Sequence, residues 1–455
     1  MAKKIKRTKR KLKKKVKIFL RIISLVVILL IVPNLISNNF NDNEKEINTK
    51  EPTRTSSEII ANILTYQLEE IDESFLKWID NQYSTKTLEE LESYLKESEY
   101  NSNIWHKLTS NSLIVLKDKY NNIISDRIKT LTPKQSSNEV TLSFVGDVSL
   151  ADDWYIMPKY DERGKKVYGI LSESVVNIMT QSDIMVANNE FTISNRGSKM
   201  PNKYYTFRAS PERLLIYKEM GVNLVTLANN HIYDYGETAF YDALDALEEY
   251  NIPYIGAGRN IKEAKEPFYY IINGYKIGFV NATRAEKYIL TPEAKENSGG
   301  VLRCYDPTTF ISVIEETKKQ SDFVIALVHW GKEDSSQLEQ VQLDTSKQYI
   351  EAGADIIVGT HAHTLQGIDF YNNKAIFYNI GDFIFNHESK DTGILQLKID
   401  NDGNFKYYFL PCYQKDKYTS LLTGDEWTRV LNKMRKLSPN TTINEEGEII
   451  QNNTN

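Results

Sequence analysis

From residue 140 onward the chain alternates short β-branched apolar runs with amphipathic stretches. The runs at 140–145, 184–187, 224–227, 323–328 and 356–358 predict buried strands, because unbroken Val/Ile/Leu segments suit a sheet covered on both faces. Between them, 167–179, 211–220, 238–250, 308–319 and 338–351 carry apolar residues at helical spacing. That order predicts an α/β fold with a largely parallel core. Two pairs of runs depart from it. Residues 268–272 and 276–280 flank Asn273-Gly274, and 370–371 and 375–378 flank Asn372-Asn373. Both predict hairpins, since Asn and Gly accept the positive φ of tight turns. Such antiparallel additions favour a layered α/β/β/α arrangement over a plain doubly wound sheet. After Ser389, 394–399 and 407–413 read as strands and 426–436 as a helix, giving a C-terminal region at 388–440. The polar, Asn-rich 441–455 reads as a disordered tail.

Upstream the periodicity changes. Thr55-Ser56-Ser57-Glu58 is a capping-box signature ahead of Ile59, Ile60, Ile63 and Leu64, and Thr87-Leu88-Glu89-Glu90 repeats it. Residues 55–130 therefore read as a small helical stalk or bundle, with a linker at 131–138 and a polar tether at 37–54. The apolar segment at 18–36 is long enough for one transmembrane helix, with Arg21 snorkelling at its edge. A cleaved signal peptide is the rival reading, but no small-x-small cleavage site follows, so an uncleaved anchor is preferred.

Charge changes the picture next. Residues 1–21 hold twelve Lys/Arg and no acid, so the remainder of a chain with net charge −5 carries −17. The positive-inside bias puts the basic head at 1–17 in the cytoplasm and everything after about residue 37 outside the cell membrane. An acidic body argues against nucleic acid as a partner. Cys304 and Cys412 are compatible with one disulfide or with two free thiols.

The chemistry sits where each apolar run stops. Run 140–145 is followed by Gly146-Asp147, and 184–187 by Asn188-Asn189-Glu190. Run 224–227 leads to Asn229-Asn230-His231 with Asp234, and 323–328 to His329 and Glu333. Run 356–358 leads through Gly359, read as opening a turn, to His361 and His363; a further run ends in Gly381-Asp382. Singly, each Asn or Asp is an ordinary turn or cap residue. Together they supply carboxylates, amides and imidazoles to the one edge on which parallel strand ends converge. A mixed O/N donor set of that size suits divalent Mn, Zn or Fe, with donors enough for two ions.

In this order, Gly146-Asp147, Asn188-Asn189-Glu190, Asn229-Asn230-His231 with Asp234-Tyr235-Gly236, His329-Trp330-Gly331, Gly359-Thr360-His361-Ala362-His363 and Gly381-Asp382-Phe383 resemble the CapA family. These are bacterial capsule or poly-γ-glutamate synthesis proteins whose domain is related to calcineurin-like metallophosphatases, and the resemblance covers about 140–387. It implies a metal site made of Asp147, Glu190, Asn230, His329, His361 and His363. It also implies that His231 faces the leaving group. Asp234 is placed to orient that imidazole, Glu333 reads as a support to the ligands or a substrate contact, and Asn188 and Asp382 as substrate contacts. Two positions depart from the pattern. Ser149 stands where the superfamily has a metal-binding His, and Asp382 where the family usually has Asn.

The resemblance implies surface-polymer synthesis or export, either through metal-assisted hydrolysis or as a non-catalytic scaffold subunit of a synthesis complex. For an anionic polymer, Lys199, Lys203 and Arg208, interleaved with Tyr204 and Tyr205, are the candidate contacts; an ordinary solvated loop is the other reading. Nucleotide binding at Gly256-Ala257-Gly258 is disfavoured, because the third glycine and the phosphate-facing helix are missing.

Overall fold

The computed structural model describes residues 127–134, 139–286 and 289–452. They form a mixed α/β fold around two main sheets. The first, in spatial order, contains Ile128–Leu131, Phe268–Ile272, Tyr275–Thr283, Phe323–Trp330, Ile356–His361, Lys374–Phe377 and Ile368–Tyr371. Its inner strands run parallel, and the two hairpins are antiparallel additions at either side. The turns have the backbone their residues favour, with φ of 49° and 79° at Asn273-Gly274 and 49° and 60° at Asn372-Asn373.

The second sheet runs Thr441–Ile443, Glu448–Gln451, Phe405–Lys415, Lys390–Ile399, Val140–Val148, Ile184–Asn189, Leu224–Thr226 and Tyr254–Ile255. The short strand Asp382–Ile384 pairs in parallel with the end of Val140–Val148, putting Asp382 beside Asp147.

Alternation along each inner strand explains why the runs are apolar without a break. Val140, Leu142 and Phe144 join Ile325, Leu327, Ile356 and Val358 in one cluster shared by both sheets. The opposite side chains of the second sheet, such as Met185, Ala187 and Val225, pack on Val175 and Met179 of helix Glu173–Gln181 and Phe240 and Leu244 of helix Gly236–Glu249. Those of the first, such as Val324, Ala326 and Ile357, pack on Phe310 and Ile314 of helix Thr308–Lys318 and Tyr349 of helix Gln340–Glu351. A strand with both faces buried admits few polar residues before it ends, and those within these runs, Ser143 and Thr226, are hydrogen-bonded to Ser182 and Asn188.

Several expectations change. The basic head, the anchor at 18–36, the tether and most of the stalk lie outside the described residues. Among the described residues no helix is long and apolar enough to cross a membrane. The last residues assigned to the helical stalk instead form strand Ile128–Leu131, whose β-branched Ile128 and Thr130 suit its parallel pairing with Phe268–Ile272. The strands and helix expected at 388–440 are present as Lys390–Ile399, Phe405–Lys415 and Gly424–Leu437, and the first of them pairs with both Val140–Val148 and Phe405–Lys415. Nor is the tail disordered throughout: Thr441–Ile443 and Glu448–Gln451 pair with each other, and Glu448–Gln451 joins Phe405–Lys415. Its Asn-rich composition conceals Ile443 and Ile449, each 3% exposed in the core shared by the sheets.

Gly359 does not open a turn, since its strand continues to His361. A Cβ there would lie 1.9 Å from the Tyr378 carbonyl oxygen and 2.5 Å from Trp330 Nε1. Gly256 likewise serves close packing, against Asn281. Both cysteines are free and buried, in different clusters.

A chain ending at residue 440 loses the burial of Ile443 and Ile449, about 1.5 kcal/mol each or more. Its thermal midpoint is expected to fall by several degrees; an unchanged midpoint would mean that these strands do not contribute to the core.

Candidate metal centre

Polar groups appear where the inner strands of both sheets end. Asp147 sits at the end of Val140–Val148, in register with Asn188 on one side and Asp382 on the other. In the facing sheet His329 is paired with Thr360, and Trp330 with His361. The two walls are joined by the His361 peptide N–H, which donates to Asp147 Oδ2 at 3.2 Å. Close approach is required here: a Cβ on Gly146 would lie 1.8 Å from the Gly381 carbonyl oxygen.

Glu190 is fully buried at the centre. Its Oε1 has no hydrogen-bond partner among the described residues. Three imidazoles surround that oxygen: His329 Nε2 at 3.7 Å, His231 Nε2 at 3.9 Å and His363 Nε2 at 3.9 Å. These separations are too long for hydrogen bonds. His361 Nδ1 and the hydroxyl of buried Ser149 are likewise without partners. Ligand-capable atoms within 4.8 Å of one another come from Glu190, His329 and His361, from Asp147, His363 and Asp382, and from Glu333, His361 and His363.

The remaining contacts hold these groups in place. Asn188 Nδ2 donates to Asp147 Oδ1 at 2.8 Å and to Glu190 Oε2 at 3.1 Å, while its Oδ1 accepts from Thr226 at 2.9 Å and Asn229 at 3.1 Å. His329 Nδ1 meets Thr360 Oγ1 at 2.9 Å, and its Nε2 meets Asn230 Oδ1 at 2.7 Å. His231 Nδ1 meets Asp234 Oδ2 at 2.7 Å, and the backbone N–H groups of His231 and Ile232 both donate to Asn229 Oδ1. His363 Nδ1 lies 2.7 Å from Asp382 Oδ1 and 3.3 Å from Asp147 Oδ2. Phe207 covers the His231 ring and Phe385 the His363 ring, at centroid distances of 4.4 and 4.6 Å.

The electrostatics suit a bound cation. Burial, and then the Asp147 charge, push the Glu190 carboxyl well above its ordinary range. Burial would do the same to Asp147, but its hydrogen bond to His363 and that ring's charge hold it low. Burial keeps His329 well below its usual value and takes His361 to about 3, with neighbouring imidazole charges adding to the effect. Both rings are thus neutral at physiological pH, the state that ligates metal. Against the pull of burial, Asp382 and Asp147 raise His363 well above its usual value, so that ring would have to release its proton to bind a metal. The buried carboxyl groups, the orphaned Glu190 oxygen and the neutral His329 and His361 rings form a donor set that a divalent cation would suit. Asp147, Glu190, Asn230, His329, His361 and His363 are the residues that would hold it.

The other expected residues are placed as follows. Asn188 and Asp382 are buried, tied respectively to Asp147 and Glu190 and to His363, rather than open to a substrate. Glu333 is 60% exposed at the rim, 4.0 Å from His361 Nε2. The 199–208 loop turns its cations away from a common face. Lys203 points inward, and Arg208 lies 4.1 Å over the Tyr235 ring. Lys199 is exposed, and Tyr204, at 90%, and Tyr205 face outward. Thr360 and Asn229 stand within the quoted motifs with no role of their own readable there, and Lys203 reads as a polymer contact rather than an inward-turned cation. Thr360 follows from strand register alone, since only the pairing with Phe323–Trp330 sets it beside His329.

The description "Bacterial capsule synthesis protein PGA_cap" belongs to the family model that matches residues 141–387, more than half of the chain. The chain is a member of this family. It is 31% identical over 293 residues to the PGA biosynthesis protein CapA of Bacillus subtilis (strain 168), covering 62% of this chain and 74% of that protein. It is 29% identical over 291 residues to the capsule biosynthesis protein CapA of Bacillus anthracis, covering 61% and 68%. Among solved structures, a 5'-nucleotidase from Candida albicans SC5314 matches with 9% identity and a TM-score of 0.33, over 61% of this chain and 52% of that one. That match is too distant to bear on function. In this PGA_cap chain the quoted motifs are thus the strand ends that build the buried centre.

Replacing Asn188 by Ala removes the donor shared by Asp147 and Glu190 but no expected ligand. Mn²⁺ affinity of the full chain in detergent, measured calorimetrically, is expected to fall roughly 10–100-fold. Unchanged affinity would show that the tether does not shape the site.

Proposed function

We propose that this chain acts in the synthesis or export of a capsule or poly-γ-glutamate surface polymer, through a metal-dependent hydrolase-like site within a synthesis complex. Family membership and the named roles of the Bacillus relatives support the process. One observation supports the chemistry: the unpartnered Glu190 Oε1 ringed by three imidazole nitrogens at 3.7–3.9 Å. The two facing sheets, with helices packed on their outer sides, suit the four-layer metallophosphatase-like reading.

A divalent ion held there supplies Lewis acidity and makes water a stronger nucleophile near neutral pH. The chain's own residues do the rest. Burial favours a neutral His231 ring. With Asp234 accepting from Nδ1–H, the lone pair at Nε2 faces the centre, 3.9 Å from Glu190. That atom takes up the proton that the attacking water loses as its oxygen bonds to the scissile centre, and delivers it to the leaving atom as the ester or amide bond breaks. Phe207 and Phe385 exclude water beside the two rings. Glu333, exposed at the rim, is the group positioned to meet incoming substrate. The segment at 18–36 is taken to anchor the chain in the cell membrane with the N-terminus inside and this domain outside.

His231→Ala in the full chain, loaded with Mn²⁺, is expected to lose about 10²–10⁴ of its rate on γ-glutamyl peptides or an aryl phosphodiester while keeping the ion. A loaded wild type inert on both substrates would remove the hydrolase reading. The non-catalytic scaffold would then remain, provided that deleting the gene still alters surface polymer. For the anchor, full chain is expected to pellet with membranes and a chain starting at residue 38 to be released; equal pelleting would count against it.

A further inference from the structure

The loop between the short paired strands Thr192–Ile193 and Arg208–Ala209 sends one cation inward. The Lys203 side chain is only 4% exposed. Its ammonium lies 2.8 Å from Asp234 Oδ1 and 3.3 Å from Glu286 Oε2, and donates to the backbone carbonyl of Asn230. That carbonyl also accepts from Thr291 Oγ1 at 2.9 Å. A buried lysine is held where its pairing offsets the loss of hydration, so its position is specified by its partners.

Each partner bears on a different part of the centre. The other oxygen of Asp234 accepts from the Phe207 N–H at 2.7 Å and meets His231 Nδ1 at 2.7 Å. Asp234 Oδ1 is ion-paired with Lys203 at 2.8 Å without hydrogen-bond geometry, while Oδ2 holds two hydrogen-bond contacts. Rotating the carboxylate would disturb all three, so the atom facing His231 is held as an acceptor. A fixed acceptor holds the imidazole as the Nδ1–H tautomer and directs Nε2 to the centre. The clamp on the Asn230 carbonyl in turn holds the residue whose Oδ1 reaches His329 Nε2 at 2.7 Å.

We propose that Lys203 is a positioning residue of this site: its buried ammonium fixes Asp234 and the Asn230 backbone, setting the tautomer of His231 and the placement of a metal-ligating amide. The assignment rests on the functional reading of His231 and Asn230 given above. It goes further in giving a lysine from a covering loop control over both, through Asp234 and a backbone carbonyl.

The test uses full chain in detergent with ¹⁵N-labelled histidine, in which six histidines contribute and His231 is identified by the signal lost in His231→Ala. The wild type is expected to show Nδ1 protonated and Nε2 unprotonated at His231. Lys203→Met is expected to shift that pair of signals towards mixed tautomers and to weaken Mn²⁺ binding roughly 10–100-fold. If Lys203→Met fails to fold, Lys203→Gln carries the test, because it keeps a donor for the Asn230 carbonyl while removing the charge. A folded Lys203 variant that keeps the wild-type tautomer and the wild-type affinity overturns the proposal. A variant that merely lowers the thermal midpoint, leaving both readouts in place, overturns it equally, since a structural role alone predicts that result. Neither readout needs turnover. An inert wild type with the expected His231 signals therefore removes the hydrolase reading and leaves this one standing.

Discussion

One hydrogen bond between the sheets, from the His361 peptide N–H to Asp147 Oδ2, organises the centre. On the Asp147 side of that bond the neighbouring backbones are themselves close, and Gly146 against the Gly381 carbonyl leaves no room for a side chain. The inter-sheet bond sets the His361 backbone at φ 93° and is followed by His363 at 52°. Non-glycine residues in such conformations cost about 1–3 kcal/mol each and persist where the surroundings dictate them. Here the surroundings are two sheets already locked by a shared apolar core.

Within that frame, charge is the difficulty and tethering the answer. Asp147, Glu190 and Asp382 are fully buried, a placement that penalises ionisation. Neutral groups fix the geometry: Asn188 donates to the first two, while Thr360 Oγ1 and the accepting Asn230 Oδ1 orient His329 from opposite ring nitrogens. Ser149, where a related site would carry another imidazole, leaves only a small unpartnered hydroxyl. The centre is accordingly richer in carboxylate and amide oxygen on the Asp147 wall and richer in imidazole on the other.

What could be read from the sequence follows from burial on both faces of the inner strands. A run such as 323–328 has no polar position until it ends, so His329 is conspicuous, and the same holds for Asp147, Glu190 and His361. Residues whose roles depend on register or direction were hidden. Thr360 becomes a partner of His329 only through strand pairing. Lys203 looks like a surface cation beside two exposed tyrosines until its ammonium is seen to turn inward. Asn188 and Asp382 carry the chemistry of substrate contacts but sit behind the ligands they support. At the C-terminus, a polar composition masked two isoleucines that close the core.

The central strand Val140–Val148 takes one neighbour from Ile184–Asn189, close in sequence, and the other from Lys390–Ile399, about 250 residues later. Pairings of such long range are the slow part of folding, because a large loop must close before any contact is gained. Asp147 itself is in register with Asn188 on one side and, on the other, with Asp382, so its wall of the centre is completed only by a segment far later in the chain. The donor groups of both walls therefore come together only after that long-range closure, so the centre is a property of the completed fold and of no single local segment.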